Sequence, residues 1–443
     1  MNIQFRSVSL ISCFLILFYF LFKIKIITPA AVISINILAR IMEIFVARQP
    51  IFDTRKNVYA YELLFRSSLD NYYDTRLDGD DSTAKLIVNS FLLLGLDNIT
   101  SSKKAFINFT RKLILDQAPS LISNDLISVE ILEDVAPDDS VIQACAELKK
   151  KGYEMVLDDF VFSEKYRSLI LYSDIIKIDF LQTKGIDRKL VIENTNAAHV
   201  RFLAEKVETE ADFQEALDLG YGLFQGYFFS KPVIISGQDI PTLKLNHLRL
   251  LSEINRPDVE FEKLEEIIKH DVSLTYKLLR FINSAYFRFS IKVESIKHAL
   301  VLLGMREVKK WASIMSMSII GEDKPQEVLT VSLVRAKFCE LIASEIGQKS
   351  AESDFFMTGL FSVIDVLIGR PKNEILDNLY LDESVKNALL GDQNHITDVF
   401  SLVTAYEIGD WRRVDELSTK IGVNEIVLPT YYFTATQWAN MSL

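Results

Sequence analysis

Two adjacent carboxylates, Asp158 and Asp159, end the apolar stretch MVLDDF, which lies within residues 155–160. Neighbouring carboxylates repel each other, and Asp is depleted in β-strands. A chain tolerates such a pair most readily where a cation, usually a metal ion, compensates the repulsion. The pair therefore predicts a cation site at the end of a strand.

Most of the other strand-like runs between residues 42 and 233 also end in a polar side chain. These side chains are Glu62, Asn108, Glu130, Lys177 with Asp179, Glu205 with Glu208, and Gln225. A single acid at a strand end is usually a solvated loop residue, but several carboxylates gathered at one rim would repel one another strongly without cations. Ligands that are all oxygen, with no Cys and no suitably placed His, indicate two hard ions, Mg²⁺ or Mn²⁺. Two such ions that share a carboxylate are suited to in-line displacement at phosphorus.

Strand-like and helix-like segments alternate from Met42 to about Val233, which indicates an α/β fold with a parallel sheet. The strand-like runs cover residues 44–52, 57–65, 104–109, 126–132, 153–159, 175–179, 200–207 and 222–229. This number of strands favours a closed, TIM-like (β/α)8 barrel, whose chemistry sits at one rim, over an open sheet. Only the turn-like DTRKN separates the first two runs, so we expect an antiparallel opening pair and thus a modified barrel.

The pattern changes after the Pro- and Gly-containing connection at residues 233–243. From Leu243 to Leu443 the apolar residues recur almost only at helical spacing. We therefore predict an N-terminal extension at residues 1–41, a barrel domain at residues 42–235 and an all-α domain at residues 243–443.

The N-terminal extension contains SVSLISCFLILFYFLF at residues 7–22, which is apolar and uncharged. Extended to residue 27, this segment approaches the ~20 residues of a membrane-spanning helix, and Lys23, Lys25 and Arg40 would place the following chain inside. Two interpretations are open: an inner-membrane tether at residues 7–27, or translation that begins at Met42. Both interpretations place the working domains in the cytoplasm.

The composition argues against several classes of protein. The 443 residues are 49% hydrophobic and 25% charged, as in globular proteins that bury full cores. A net charge of -11 argues against binding of nucleic-acid polymers or anionic membranes. The three cysteines, Cys13, Cys145 and Cys339, are far apart and fit neither a disulfide framework nor a zinc site, which suits a reducing compartment.

The barrel half resembles the EAL domain family through seven motifs in the family's order. They are AYELLFR (60–66), INF (107–109), VEILE (129–133), LDDF (157–160), KID (177–179), AEKVET (204–209) and FQGYFFSKP (224–232). EAL domains are cyclic di-GMP phosphodiesterases built on modified (β/α)8 barrels with an antiparallel strand. The resemblance implies that two Mg²⁺ or Mn²⁺ ions assist hydrolysis of cyclic di-GMP to the linear dinucleotide pGpG. The resemblance also implies that the protein affects motility and biofilm formation through cyclic di-GMP.

The resemblance further assigns roles to individual residues. The metal ligands would be Glu62, Asn108, Glu130, Asp158 and Asp159. Lys177 would position or help activate the attacking water, and Glu205 would complete the metal and base arrangement. Arg66 would contact a ligand phosphate, for which its bidentate fork is well suited. The remaining substrate-binding residues would be Asp179, Glu208 and Gln225.

Two departures from the family pattern leave the activity open. Val161 stands where active members have the first Gly of a Gly-rich loop, and a β-branched side chain resists the backbone angles that Gly permits. Lys206 stands where the family commonly has Gly, so a further cation lies beside the metal site if this side chain points inward. We therefore weigh a phosphodiesterase against an impaired barrel that acts as a cyclic di-GMP sensor or a protein scaffold. The same loop forms dimers in the family, so a homodimer is a further expectation.

The helical half resembles the HDOD domain, a helical output module, through residues 269–287 and 293–311. HDOD domains resemble the metal-dependent HD phosphohydrolases, but they lack the metal ligands of those enzymes. His270 and Asp271 look like an HD pair, but Ser362 and Val363 stand where the hydrolases have His-Asp, so we expect no metal there. We expect this half to bind an unidentified protein partner in signalling.

Overall fold

The computed structural model describes residues 45–66, 96–230, 242–256, 258–269, 271–283 and 293–442 of the chain. The tether expected at residues 7–27 lies outside these residues, and so does most of the expected domain boundary between residues 235 and 243. Within the described ranges, no helix combines the length and the apolar character that a membrane span requires.

Eight strands of the described residues close into a barrel in which each strand pairs with its neighbours in chain order. They are β1 (Phe45–Asp53), β2 (Val58–Arg66), β3 (Lys104–Phe109), β4 (Ile127–Ile131), β5 (Glu154–Leu157), β6 (Ile175–Asp179), β7 (Arg201–Glu205) and β8 (Leu223–Gln225). β1 runs antiparallel to β2 and β8, and the other pairs are parallel. The prediction of a modified (β/α)8 barrel with an antiparallel opening pair is confirmed.

The two-residue period of the strands divides the barrel interior into an apolar layer and a polar layer. The apolar layer consists of Ile51, Ala60, Phe106, Val156, Ile175, Leu203 and Leu223, which are buried together. On the parallel strands a polar residue follows two positions later on the same face, as Glu62 follows Ala60. β1 runs the other way, and there Gln49 precedes Ile51 by two positions. The alternation therefore gathers the polar side chains at one rim.

Helices surround the barrel between the strands. They are α1 (Leu96–Thr100), α2 (Arg111–Leu115), α3 (Asp139–Lys150), α4 (Arg167–Ile170), α5 (Ile186–Thr195) and α6 (Glu210–Asp218). Local capping fixes where they begin: Asp138 accepts hydrogen bonds from two N–H groups at the start of α3, and Thr209 forms a capping box with Asp212 at the start of α6. Outward-facing strand residues such as Val129 share one hydrophobic core with helix residues such as Leu148.

The rest of the described chain is helical, which confirms the all-α prediction for this half. Its helices are α7 (Thr242–Asn255), α8 (Phe261–Lys269), α9 (Val272–Ile282), α10 (Ile296–Leu303), α11 (Met305–Ile320), α12 (Gln326–Glu345), α13 (Glu352–Phe361), α14 (Ile364–Ile368), α15 (Lys372–Leu376), α16 (Glu383–Leu390), α17 (His395–Glu407), α18 (Trp411–Ile421) and α19 (Leu428–Ser442). α17 and α19 contact β1, so the helical half packs directly on the barrel. Barrel and helical half belong to one compact unit that covers residues 44–443.

Candidate active site

The ammonium group of Lys177, in β6, lies among carboxylates that come from four other strands. Its Nζ is 2.8 Å from Asp158 Oδ1, 2.8 Å from Glu205 Oε1 and 3.5 Å from Glu62 Oε2. It also contacts Glu130 Oε1. The Lys177 side chain is only 1% exposed, so this cluster is shielded from bulk water. The structure thus brings these five predicted site residues together, while their chemical roles stay predictions.

One ammonium group cannot balance four carboxylates in a buried site, and the pKa shifts reflect this excess of negative charge. Burial alone would lower the pKa of Lys177, but the carboxylates around it outweigh burial and raise that pKa well above its usual value. Burial raises the pKa of Glu130, and repulsion from Glu62 and Asp158 adds to the effect. Burial also raises the pKa of Glu205, to about 8. The cluster therefore favours the binding of further cations.

Asp158, Asp159 and Glu205 can offer ligands to one metal ion, because one carboxylate oxygen of each lies within 4.8 Å of the others. In the described part of the chain, no other set of three His, Cys, Asp or Glu side chains does so. Asn108 Oδ1, Asp159 Oδ1 and Glu205 Oε2 are buried without a hydrogen-bond partner, which is unusual for polar atoms. Carboxylate and amide oxygens are the ligands that hard divalent cations prefer. The donor set therefore fits a hard divalent cation.

The paired aspartates owe their arrangement to an uncommon backbone conformation. Asp159 has a φ of 39°, in the left-handed region that residues other than Gly seldom adopt. Its N–H donates a 3.0 Å hydrogen bond to Asp158 Oδ1. Burial and the neighbouring Asp158 raise the pKa of Asp159. The turn thus keeps two carboxylates close together at an energetic cost, as is common at functional sites.

Glu62 is held by amide side chains. Gln225 Nε2 donates a 2.6 Å hydrogen bond to Glu62 Oε2 and a 3.1 Å hydrogen bond to Gln49 Oε1. Asn108 Nδ2 lies 3.4 Å from the other oxygen of Glu62. The backbone after Gln225 requires glycine, because a Cβ on Gly226 would lie 2.2 Å from the carbonyl oxygen of Val207. These amides therefore fix the orientation of the Glu62 carboxylate.

Gln49 is a site residue that the sequence-based prediction missed. It lies in the middle of β1 rather than at its end, and it pairs with Glu62 across the antiparallel register. The available signal was the short DTRKN turn: a tight hairpin there brings the two runs together antiparallel. A regular hairpin on that turn would pair Gln49 with Tyr61, and the β-bulge between Ile51 and Phe52 shifts the register by one residue so that Gln49 pairs with Glu62.

Comparison with known proteins assigns the chain to a family. Family models match for the EAL domain at residues 75–232 and the HDOD domain at residues 240–370. The uncharacterized protein YuxH of Bacillus subtilis (strain 168) is 39% identical over 407 residues, which cover 90% of this chain and 98% of YuxH. The cyclic di-GMP phosphodiesterase CdgJ of Vibrio cholerae serotype O1 is 34% identical over 398 residues, which cover 89% of this chain and 92% of CdgJ. The chain belongs to this EAL–HDOD family.

The EAL match begins after β2, yet the structure closes the EAL barrel with β1 and β2. A solved structure with a similar fold is that of Bacillus subtilis YkuI with an EAL domain, in complex with cyclic di-GMP and calcium. It is 18% identical with a TM-score of 0.35, and the alignment covers 55% of this chain and 74% of that chain. β1 and β2 precede the residues that the EAL model matches, and they supply Gln49 and Glu62 to the barrel site.

Lys206 lies at the rim of the EAL site, next to two aspartates. Its Nζ is 2.5 Å from Asp179 Oδ2 and 3.9 Å from Asp159 Oδ1. Its φ of 54° is again left-handed, which agrees with the Gly that the EAL family commonly has at this position. Burial would raise the pKa of Asp179, but hydrogen bonds from Lys206 and from two backbone N–H groups outweigh it and lower that pKa. Asp179 is thus bound to Lys206 at the rim rather than to Lys177.

The loop after Asp159 departs from the EAL pattern at Val161, and the structure shows how the chain accommodates it. The N–H of Phe160 donates to the carbonyl oxygen of Lys177, and the Phe160 ring packs edge-on against Tyr166. Val161 is 73% exposed and does not have a positive φ. The positive φ angle occurs at Asp159 instead of at Val161. The loop therefore packs its first residues against the barrel without a glycine.

Besides Asp179, two further predicted site residues of the EAL barrel are not placed in the Lys177 cluster. Glu208 is exposed in the segment between β7 and α6. Arg66 is the last residue of β2 and pairs with Phe45, but its side chain lies outside the description. Substrate contacts of both residues stay predictions.

The HDOD half fills the region around Ser362 with an ion pair. Arg335, in α12, contacts both carboxylate oxygens of Glu407 at 2.7 and 2.8 Å and lies 3.3 Å from Ser362 Oγ. Asp271 caps α9 by accepting a 3.0 Å hydrogen bond from the N–H of Leu274. His270 lies outside the described residues. Arg335 and Asp271 thus have structural partners within this half.

Proposed function

We propose that this EAL–HDOD protein hydrolyses cyclic di-GMP to pGpG. The relative CdgJ, similar over nearly its whole length, is a cyclic di-GMP phosphodiesterase by name. The observation that carries the proposal is the cluster around Lys177, in which buried oxygens of Asn108, Asp159 and Glu205 have no hydrogen-bond partner. Such a donor set suits divalent cations and, through them, a phosphodiester.

Each residue of the cluster has a role in this proposal. Mg²⁺ or Mn²⁺ would be held by Glu62, Asn108, Glu130, Asp158 and Asp159, and would supply an activated water and charge neutralisation at the phosphate. Lys177 holds the carboxylates in place and would position the attacking water through them. Glu205, which can offer an oxygen to the same ion as Asp158 and Asp159, would complete the metal and base arrangement. Gln225 orients Glu62.

Turnover by the purified full-length protein tests the proposal. The protein is incubated with cyclic di-GMP and Mn²⁺, and pGpG is followed by chromatography. Glu62→Ala should reduce turnover by at least about 100-fold, because it removes a ligand rather than a residue that supports one. Glu133→Ala is the matched control, since Glu133 also follows a barrel strand but is exposed. Equal turnover in Glu62→Ala and wild type would contradict the proposal.

A sensor is the second candidate, and Val161 in place of the loop glycine favours it. An impaired barrel would bind cyclic di-GMP and pass that signal to a protein partner of the HDOD half. Binding of cyclic di-GMP to the wild-type protein, measured by calorimetry without any pGpG formation, would identify the sensor. If the protein neither binds nor hydrolyses cyclic di-GMP, a role as a protein scaffold is left.

A further inference from the structure

The β1–β2 hairpin has two functional faces. Gln49 and Glu62, which pair across the hairpin, face the barrel interior and the Lys177 cluster. The preceding residue on each strand, Arg48 and Tyr61, faces outward, because side chains alternate along a strand. One residue step therefore separates the cluster from the outer surface of the hairpin.

The helical half binds this outer face through a buried polar contact. Tyr61 Oη donates a 2.8 Å hydrogen bond to Glu327 Oε2, in the first turn of α12. Tyr61 is 3% exposed and Glu327 is 5% exposed, so this hydrogen bond is largely shielded from bulk water. The Arg48 guanidinium lies 4.4 Å from the centre of the Tyr61 ring and donates to Ser101 Oγ. Burial raises the pKa of Glu327 while Arg48 opposes the shift.

The same hairpin is held at its other end. Phe45 packs edge-on against Trp411 with the ring centres 5.8 Å apart. Leu64 meets Gly409 so closely that a Cβ on Gly409 would lie 2.9 Å from Leu64 Cδ1. The helical half therefore fixes the hairpin on both sides of Glu62.

A small cavity connects the two faces. It has a volume of about 40 Å³ and is lined from the barrel by Gln49 and Gln225 and from the helical half by Glu327 and Glu407. The amide side chains of Gln49 and Gln225 thus line the same cavity as Glu327, which accepts the hydrogen bond from Tyr61. A shift of α12 would therefore displace a residue that borders both the hairpin and these amides.

We propose that Glu327 is a positioning residue for Glu62, so that the HDOD half sets the cation affinity of the barrel. This inference rests on the cation binding that the proposed function requires. The HDOD half would then be part of the catalytic apparatus, and a partner that moves α12 would change the affinity for metal without touching the site. The tight fit of the hairpin between α12 and the cluster transmits the movement.

Full-length Tyr61→Phe and Glu327→Gln, and the double variant, test the inference. Each single change should weaken Mn²⁺ binding about tenfold, as expected when the support of a metal ligand is lost. The double variant should bind no more weakly than Tyr61→Phe alone, because Tyr61→Phe removes the hydrogen bond that Glu327→Gln weakens by replacing a charged acceptor with a neutral amide oxygen. The measurement is the Mn²⁺ dissociation constant from calorimetry, with thermal unfolding recorded for every variant.

Glu340→Gln is the matched control. Glu340 lies in the same helix and pairs with Lys310 and Lys337 inside the helical half. It should lower the unfolding temperature and leave the Mn²⁺ dissociation constant unchanged. An equal loss of Mn²⁺ affinity in this control would overturn the inference, because it would show general destabilisation.

The remaining outcomes separate the inference from the proposed function. Wild-type affinity in folded Tyr61→Phe and Glu327→Gln, together with normal hydrolysis by the wild type, would overturn the positioning role alone. A tenfold loss of affinity in a protein that does not hydrolyse cyclic di-GMP would support the positioning role and overturn the proposed function. A wild-type protein that binds no Mn²⁺ would overturn both.

Discussion

Lys177 and Glu205 lie on neighbouring parallel strands with Nζ and Oε1 2.8 Å apart, and both side chains are buried. This pair links the ammonium at the centre of the cluster to the carboxylate whose pKa burial raises to about 8. The cluster is therefore a balance of charges in which the loss of one member affects all the others. The first two predictions follow from that balance.

Replacement of Lys177 by Met should destabilise the metal-free protein. The Met side chain is similar in length to that of Lys, but it leaves the buried carboxylates without their cation. This loss costs about 3–5 kcal/mol in the free energy of unfolding. Urea unfolding in the presence of a chelator measures this loss, and added Mn²⁺ should restore part of it. Lys189→Met is the control, because the exposed pair of Lys189 with Glu193 contributes less than about 0.5 kcal/mol. A stability equal to wild type in Lys177→Met would contradict the charge balance.

The metal-free protein should become less stable as the pH rises from about 4.5 to about 8. Burial raises the pKa of Glu205 from 4.5 to about 8, so within this window the folded protein binds more protons than the unfolded chain. The free energy of unfolding then falls with pH, by at most about 1.4 kcal/mol per pH unit for one proton, and levels off above the window. Urea unfolding at several pH values measures the slope. Glu205→Gln should make the slope shallower, while Glu130 and Asp159, whose pKa values burial also raises, keep part of it; an unchanged slope in that variant would refute the assignment to Glu205.

The sequence predicts the barrel and the gathering of acids well, because both depend on short-range periodicity. Glu62, Lys177 and Glu205 follow apolar residues at a spacing of two, and closure of the strands then brings them together. The position of Gln49 depends on the β-bulge between Ile51 and Phe52, and the position of Lys206 depends on a side-chain rotamer; periodicity encodes neither. Tyr61 and Glu327 are in contact but lie 266 positions apart in the sequence. The sequence pattern around one of these residues gives no indication of the other.

Replacement of Lys206 by Gly should strengthen Mn²⁺ binding. The backbone at this position already has a φ of 54°, so Gly fits without strain, and the change removes an ammonium group 3.9 Å from Asp159 Oδ1. The gain in affinity should be about three- to tenfold, since the half-exposed ammonium is partly screened. Calorimetry measures the affinity, and Lys206→Arg, which keeps the charge, should behave like wild type. Unchanged affinity in Lys206→Gly would show that the ammonium does not act on the metal site.

Replacement of Gly226 by Ala should destabilise the barrel and disturb Gln225. The added Cβ would lie 2.2 Å from the carbonyl oxygen of Val207, and φ is 141°, a region closed to Ala. We expect a loss of about 2–4 kcal/mol in the free energy of unfolding, together with weaker Mn²⁺ binding because Gln225 orients Glu62. Gly222→Ala is the matched control, because a Cβ there meets no atom within 4 Å and φ is not in the strained range. If both variants unfold at the same urea concentration, the close approach of Gly226 to Val207 does not constrain the site.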